Sequence, residues 1–174
     1  MSKTNETIRL DRLVFYKNDI DRFDRILRDF INLSKAKCAL LVDREGHMIT
    51  KQGVTRFVDI DSIAALVAGA FAATKEMARL LGEDEFSILF HQGKTDSIQL
   101  SLIGDRALLT TIFDDSTTVG MVRLYANEAS KSLLKCFRRA DRAQAEGTVE
   151  VGPAEQMSSD FSADAKTALD DILG

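Results

Sequence analysis

The chain has 174 residues, 45% hydrophobic and 29% charged, which amounts to one domain of ordinary globular composition that can bury a core without disulfides. Lys and Arg total 23 against 27 Asp and Glu, a net charge of −4, with no Trp and two Tyr, and this argues against nucleic acid as a partner because phosphate binding needs concentrated positive surface. Cys38 and Cys136 have no metal-type spacing, the amino terminus does not resemble a signal peptide, and the longest apolar run, 63–73, is well short of the ~20 residues that span a bilayer; a cytoplasmic protein with reduced thiols and no membrane insertion is expected.

Residues 1–18 are weakly patterned, with Leu13 to Tyr16 able to dock as a short extended piece. From Asp19 to Ser34 the apolar residues Ile20, Phe23, Leu27, Phe30 and Ile31 fall on one helical stripe. Lys37 to Asp43 (KCALLVD) reads as a strand covered on both faces, and Asp43-Arg44-Glu45-Gly46 as the turn of a hairpin leading into 47–52. A long helix over 59–82 follows, with Asp59 or Asp61 as N-cap and Gly82 as C-cap. Strands over 86–91, 97–103 and 106–113 come next, separated by Gly93-Lys94-Thr95 and Gly104-Asp105, both suited to hairpin turns. Ser116 or Thr117 then caps a helix whose apolar face is Val122, Ala126, Ala129, Leu133, Cys136, Phe137 and Ala140.

From Asp141 onward eight acids face only Arg142 and Lys166, so the last 34 residues carry −6 and the rest of the chain +2. The expected organisation is therefore an extension over 1–18, a folded domain over 19–140, an acidic flexible linker over 141–160 and a short amphipathic helix over 161–174. That last helix, with Phe161, Ala165, Leu169 and Ile172 on one face, is either a segment that docks on a partner or an idle terminus.

The long helix is apolar on both sides. At about 100° per residue, Ile63, Leu66, Val67, Ala70, Thr74, Met77 and Leu81 share the side expected on the sheet, and Ala65, Ala68, Gly69 and Ala72 share the other with Glu76 and Arg79. The small-residue side lets another backbone approach closely. It is covered either by a partner, with a second copy favoured because self-complementary patches close as two-fold dimers, or by the amino-terminal helix of the same chain.

Catalytic signatures are missing. Gly93-Lys94-Thr95 lacks the first glycine of a phosphate loop, with Ile88 in its place, and precedes a strand. His47 and His91 are separated by a whole helix and read as strand-face histidines, not ligands or bases. Asp114-Asp115, just before a helix cap, reads as a pair serving the helix dipole. No metal, cofactor or catalytic residue is expected.

The segments LLVDREGHMIT, DIDSIAALVAGAFAATKEMARLLGE and FHQGKTDSIQLSLIGDRALLTTIFDDSTTVGMVRLYANEAS, in this order and followed by ALDDILG, resemble the roadblock (dynein light chain) superfamily, and within it the bacterial MglB regulators of Ras-like MglA GTPases. The resemblance implies an α+β fold, an α/β/α sandwich with a five-stranded antiparallel sheet, one long helix on one face and two on the other. It further implies a homodimer built through the long helix and an edge strand, here Phe86, Ile88 and Phe90, that binds one GTP-loaded GTPase and speeds hydrolysis by reshaping it.

Carried over by position, the GTPase-binding and dimer face comprises Ala65, Ala68, Gly69, Ala72, Ala73, Lys75, Glu76 and Arg79. Leu169, Ile172 and Leu173 become anchors of a second contact, with Asp170 and Asp171 as steering charges. A role in cell polarity or motility, and a polar location, are implied with it. This sequence departs from the MglB pattern at Ala70, where Asn is usual, and at Lys75-Glu76, where small residues are usual. The rival readings are a scaffold that holds a GTPase without stimulating it, and a supplier of an arginine finger from Arg44, Arg56 or Arg79.

Overall fold

A computed structural model describes residues 15–56 and 58–146. The expected extension up to residue 14, the linker beyond residue 146 and the carboxy-terminal helix lie outside the described residues.

Helix α1 (Lys17–Ser34) starts two residues before the expected Asp19, because Asp19 itself closes the entry: its carboxylate accepts from the Tyr16 backbone N–H at 3.2 Å. Phe23, Leu27 and Phe30 form its buried stripe, and Lys35 in the left-handed region (φ 60) ends it. Strands β1 (Cys38–Asp43) and β2 (Met48–Gly53) pair as the expected antiparallel hairpin. Every residue of β1 is buried, as its unbroken apolar run requires of a strand covered on both faces.

Helix α2 (Ile60–Leu81) has Asp59 as N-cap, its carboxylate accepting from the Ser62 N–H at 3.2 Å, and Gly82 as C-cap with φ 78. Strands β3 (Ile88–Gln92), β4 (Ser97–Ile103) and β5 (Ala107–Phe113) follow. Gly93-Lys94-Thr95 is a hairpin turn, with the Gly93 N–H donating to the Asp96 carbonyl at 3.0 Å. Helix α3 (Val119–Ala145) is capped by neither Ser116 nor Thr117 but by Thr118, whose hydroxyl accepts from the Met121 N–H at 3.2 Å. Ser116 is occupied elsewhere, since its N–H donates to Asp114 at 3.0 Å. Helical pattern carries α3 five residues into the stretch expected as linker. The chain divides into a unit ending at Arg139 and one beginning at Ala140, whose described part, 140–146, is the end of α3.

The sheet is fully antiparallel, in the order β2-β1-β5-β4-β3, which leaves β2 and β3 as edges. On one face, α1 and the part of α3 up to Arg139 lie over Ala39, Leu41, Leu109 and Phe113, in a core sealed by Phe23, Leu27, Leu133 and Phe137. Phe15 docks there, as expected of the segment before α1, with its ring 5.1 Å from Phe23 and 5.5 Å from Phe137. On the other face α2 stands alone. Ile60 and Ala64 meet Leu40 and Val42, and Val67 and Phe71 meet Leu100 and Leu108. One long helix on one face and two on the other is the sandwich that the resemblance implied.

Candidate partner-binding site on the central helix

The buried stripe of α2 is Ile60, Ala64, Val67, Ala68, Phe71, Thr74 and Ala78, spaced three and four apart as one helical face demands. Side-chain bulk is a poor guide to that face. Leu66 (72% exposed), Met77 (51%) and Leu81, expected on the sheet, face solvent, while Ala68, expected on the outer seam, is buried. The buried stripe mixes large residues, Ile60, Val67 and Phe71, with the small Ala64, Ala68 and Ala78.

One close approach is visible in the β1–β2 turn. Gly46 has φ 93, and a side-chain carbon placed on it would come within 3.0 Å of the Ala65 Cα and 3.5 Å of the Ala68 Cβ. The flank of α2 carrying Ala64, Ala65 and Ala68 is therefore turned to the hairpin of β1 and β2. The opposite flank carries Ile63, Leu66, Ala70, Met77 and Leu81, and Ile63 belongs to the cluster that includes Leu89 of β3 and Ile98 of β4. Ile63 packs as well against the cluster of Leu40 and Val42 on β1, so this flank spans both clusters beneath the helix.

Ala65, Gly69, Ala72, Ala73, Lys75, Glu76 and Arg79 are all exposed, as expected of a contact face. The exposed surface of α2 thus has two parts, a small-residue and charged part on these positions and a large apolar part on Leu66, Met77, Leu80 and Leu81. The second part was missed in the sequence; its signal was the excess of large apolar residues over what one stripe can bury. Of the expected edge strand, Ile88 and Phe90 lie on β3, whereas Phe86 precedes it in the connecting loop and is half-buried. Ile88 is paired with Ser101 and Phe90 with Gln99, so both point to the α1 and α3 face, where Phe90 stacks 6.1 Å from Phe113. Leu169, Asp170, Asp171, Ile172 and Leu173 lie outside the described residues.

The finger candidates differ in freedom. Arg44 donates to Glu85 at 3.1 Å and to the Asp105 carbonyl at 3.2 Å, tying three loops at one end of the sheet. Arg79 pairs with Glu76 one turn back on α2 at 3.0 Å, both largely exposed. Arg56 is exposed beside β2.

His47 sits in the turn before β2, not on the strand, and its Nδ1 is 3.0 Å from the Asp43 carboxylate and 3.7 Å from Glu45. These three bring metal-ligand atoms within 4.8 Å of one another, a constellation that sequence spacing did not disclose. Asp43 is already engaged, however, accepting from the N–H groups of Glu45 (2.9 Å) and His47 (2.8 Å), and so shapes the turn. Asp114 likewise serves a turn and not the helix dipole. Its bonds from Ser116 hold its carboxyl below the usual range, and Lys37 lies 3.5 Å away. The bond to Asp96 at 2.8 Å raises the Lys37 ammonium above its ordinary value. Both thiols are free, and burial raises each. No helix among the described residues is long and apolar enough to cross a membrane.

Among the described residues the protein is an α/β/α sandwich whose single helix on one face exposes both small and large apolar residues. The Roadblock/LC7 domain model matches residues 22–113, more than half of the chain, and the protein belongs to that family. Within it, the chain is similar to MglB of Myxococcus xanthus, at 37% identity and a TM-score of 0.69 over 74% of this chain and 96% of that one. It is similar also to the gliding protein MglB of Thermus thermophilus (33%, TM-score 0.70, 74% and 97% covered) and to an MglB solved in a tetrameric arrangement (31%, TM-score 0.71, 74% and 96% covered). A profilin from Acanthamoeba castellanii shares the fold alone, at 11% identity and a TM-score of 0.51. No curated protein matches by sequence.

Proposed function

We propose that this protein is a homodimeric activator of a small Ras-like GTPase of the MglA type, acting in bacterial cell polarity or motility, with no catalytic residue of its own. The observation that carries the reading is the double exposed surface of α2, left uncovered by the described residues in a fold similar to MglB. Leu66 is 72% and Leu80 77% exposed, and apolar residues on one helix at that level call for a partner.

The two parts of the surface divide the work. A second copy covers Leu66 and Met77 together with β3, whose free edge offers unpaired backbone groups. Self-association of a relative in a tetrameric arrangement supports this use of surface. The GTPase meets Ala65, Gly69, Ala72, Ala73, Lys75, Glu76 and Arg79, where small side chains admit close approach and the charges set orientation. Leu169, Ile172 and Leu173, with Asp170 and Asp171, supply a second contact.

Activation proceeds by selection of a conformer. Phosphoryl transfer needs charge stabilisation and an oriented water, which the GTPase holds among its own residues; a partner that binds the aligned state shifts the population toward it. The involvement of Arg44 with Glu85 and Asp105 weighs against a finger from that position. The test is single-turnover GTP hydrolysis by an MglA-type GTPase as this protein is titrated. Acceleration saturating near two chains per GTPase supports the reading, and survival of activation in R44A, R56A and R79A removes the finger. The bulky Lys75 and Glu76 on the contact face favour a second reading, a scaffold, for which tight binding at an unchanged rate is the outcome.

A further inference from the structure

A groove of about 520 Å³ opens on the other side of the sheet from α2, between the first turns of α3 and the β3–β4 edge. Its wall on β4 is unusual. On the face packed under α1 and α3, β4 presents Gln99, fully buried and paired with the buried Thr111 of β5, and Ser101, 6% exposed. The Gln99 amide lies 3.2 Å from the Ser101 oxygen, tying the two polar side chains together, and Ser101 lines the groove.

On α3, Arg123, Asn127 and Ser130 line the same groove. Arg123 is exposed and makes no ion pair among the described residues. Gly120 leaves the backbone of the first helical turn bare, where N–H groups lack partners within the helix. Among the described residues no acid lines the groove. The acids on adjoining segments are committed elsewhere, Glu85 to Arg44 and Glu128 to Lys131. Ile88 and Leu124 supply an apolar lip, both partly open to solvent.

We propose that this groove binds a small organic anion, an oxyanion head joined to a short apolar tail. The head meets Arg123 and the hydroxyls of Ser101 and Ser130, groups that offer donors to an acceptor-rich ligand, and the tail lies along Ile88 and Leu124. The proposal uses none of the α2 residues, and it shares with the proposed dimer only the β3 edge, where Ile88 stands.

The test is titration of the full chain with hexyl phosphate, followed by amide NMR shifts. Saturable shifts at Gly120, Ser101, Arg123 and Ser130 are expected, with inorganic phosphate and hexanol each at least about tenfold weaker because each carries half of the recognition. Arg123→Ala weakens hexyl phosphate about tenfold or more, the scale of a lost charge-assisted contact, while Arg138→Ala farther along α3 leaves binding unchanged. Arg123 is exposed, so its variant folds, and an unchanged melting temperature verifies this. Shifts that do not saturate, equal binding of hexanol, or equal binding by the Arg123 variant each overturn the proposal.

Discussion

The two faces of the sheet are built to different ends. Under α1 and α3 a single cluster joins both helices to the strands, with Phe23, Leu27, Leu133 and Phe137 shut off from solvent. Under α2 the buried contacts fall into two smaller clusters, and the helix leaves Leu66, Met77, Leu80 and Leu81 exposed. A face that is closed within the chain supplies stability; a face left open supplies recognition, and its apolar residues contribute little until a partner covers them.

The largest effect that bears on this contrast is expected from Phe23→Ala, which removes the ring at the centre of the closed face, 5.0 Å from Phe137 and 5.1 Å from Phe15. Loss of about 3–5 kcal/mol is expected in urea unfolding, near the whole stability of a small domain. Leu66→Asp with Met77→Asp is the mirror experiment. Folding stability should stay within about 0.5 kcal/mol, as for exposed sites generally, while sedimentation should show the dimer weakened by about 2 kcal/mol or more. A drop in stability equal to that of Phe23→Ala would erase the distinction between the faces.

Gly46→Ala sharpens the placement of α2. The left-handed backbone there and the approach to Ala65 predict a cost of about 1–3 kcal/mol, measured by thermal unfolding. Ala72→Arg probes function more than folding: the exposed site accepts the side chain, and GTPase pull-down should be abolished. Unchanged capture would move the GTPase off this part of α2.

The smallest effect expected is on pH dependence. Bonds from Ser62 hold Asp59 below the usual carboxylate range, and those from Ser116 do the same for Asp114. Each is more acidic folded than unfolded, so the stability it adds is present above the ordinary carboxylate pKa of about 3.9 and is lost as pH falls through the folded value. Lys37 runs the other way, raised chiefly by its bond to Asp96, so its contribution holds below the ordinary lysine value and is lost as pH rises through the folded one. Asp59→Asn should flatten the acid limb of the urea midpoint plotted against pH and leave the alkaline limb unchanged.

Much of the fold was legible because local chemistry and pattern agree. Gly82 marks the end of α2 to the residue, its start lay between Asp59 and Asp61 until the structure picked Asp59, and the unbroken run of β1 announced a strand covered on both faces. The cap of α3 was read two residues or one too early, since Ser116, Thr117 and Thr118 are chemically alike and only the backbone's path picks Thr118. The candidate site was half legible. Its helix stood out as apolar all round, but the assignment of sides followed bulk, and bulk misled at Leu66, Met77, Leu81 and Ala68.

The sequence by itself determined the order of helices and strands, the hairpins, the family likeness and the surplus of apolar residues on α2, because periodicity, caps and turn residues act over a few positions. Only the tertiary structure decided which flank of α2 is spent on the hairpin at Gly46 and which large residues are left exposed. It alone also brought Ser101 and Arg123 to one groove. The physical reason is that a helix periodic in sequence has no preferred rotation until a sheet lies beneath it, and contact with that sheet, not the size of the side chains, fixes what is buried.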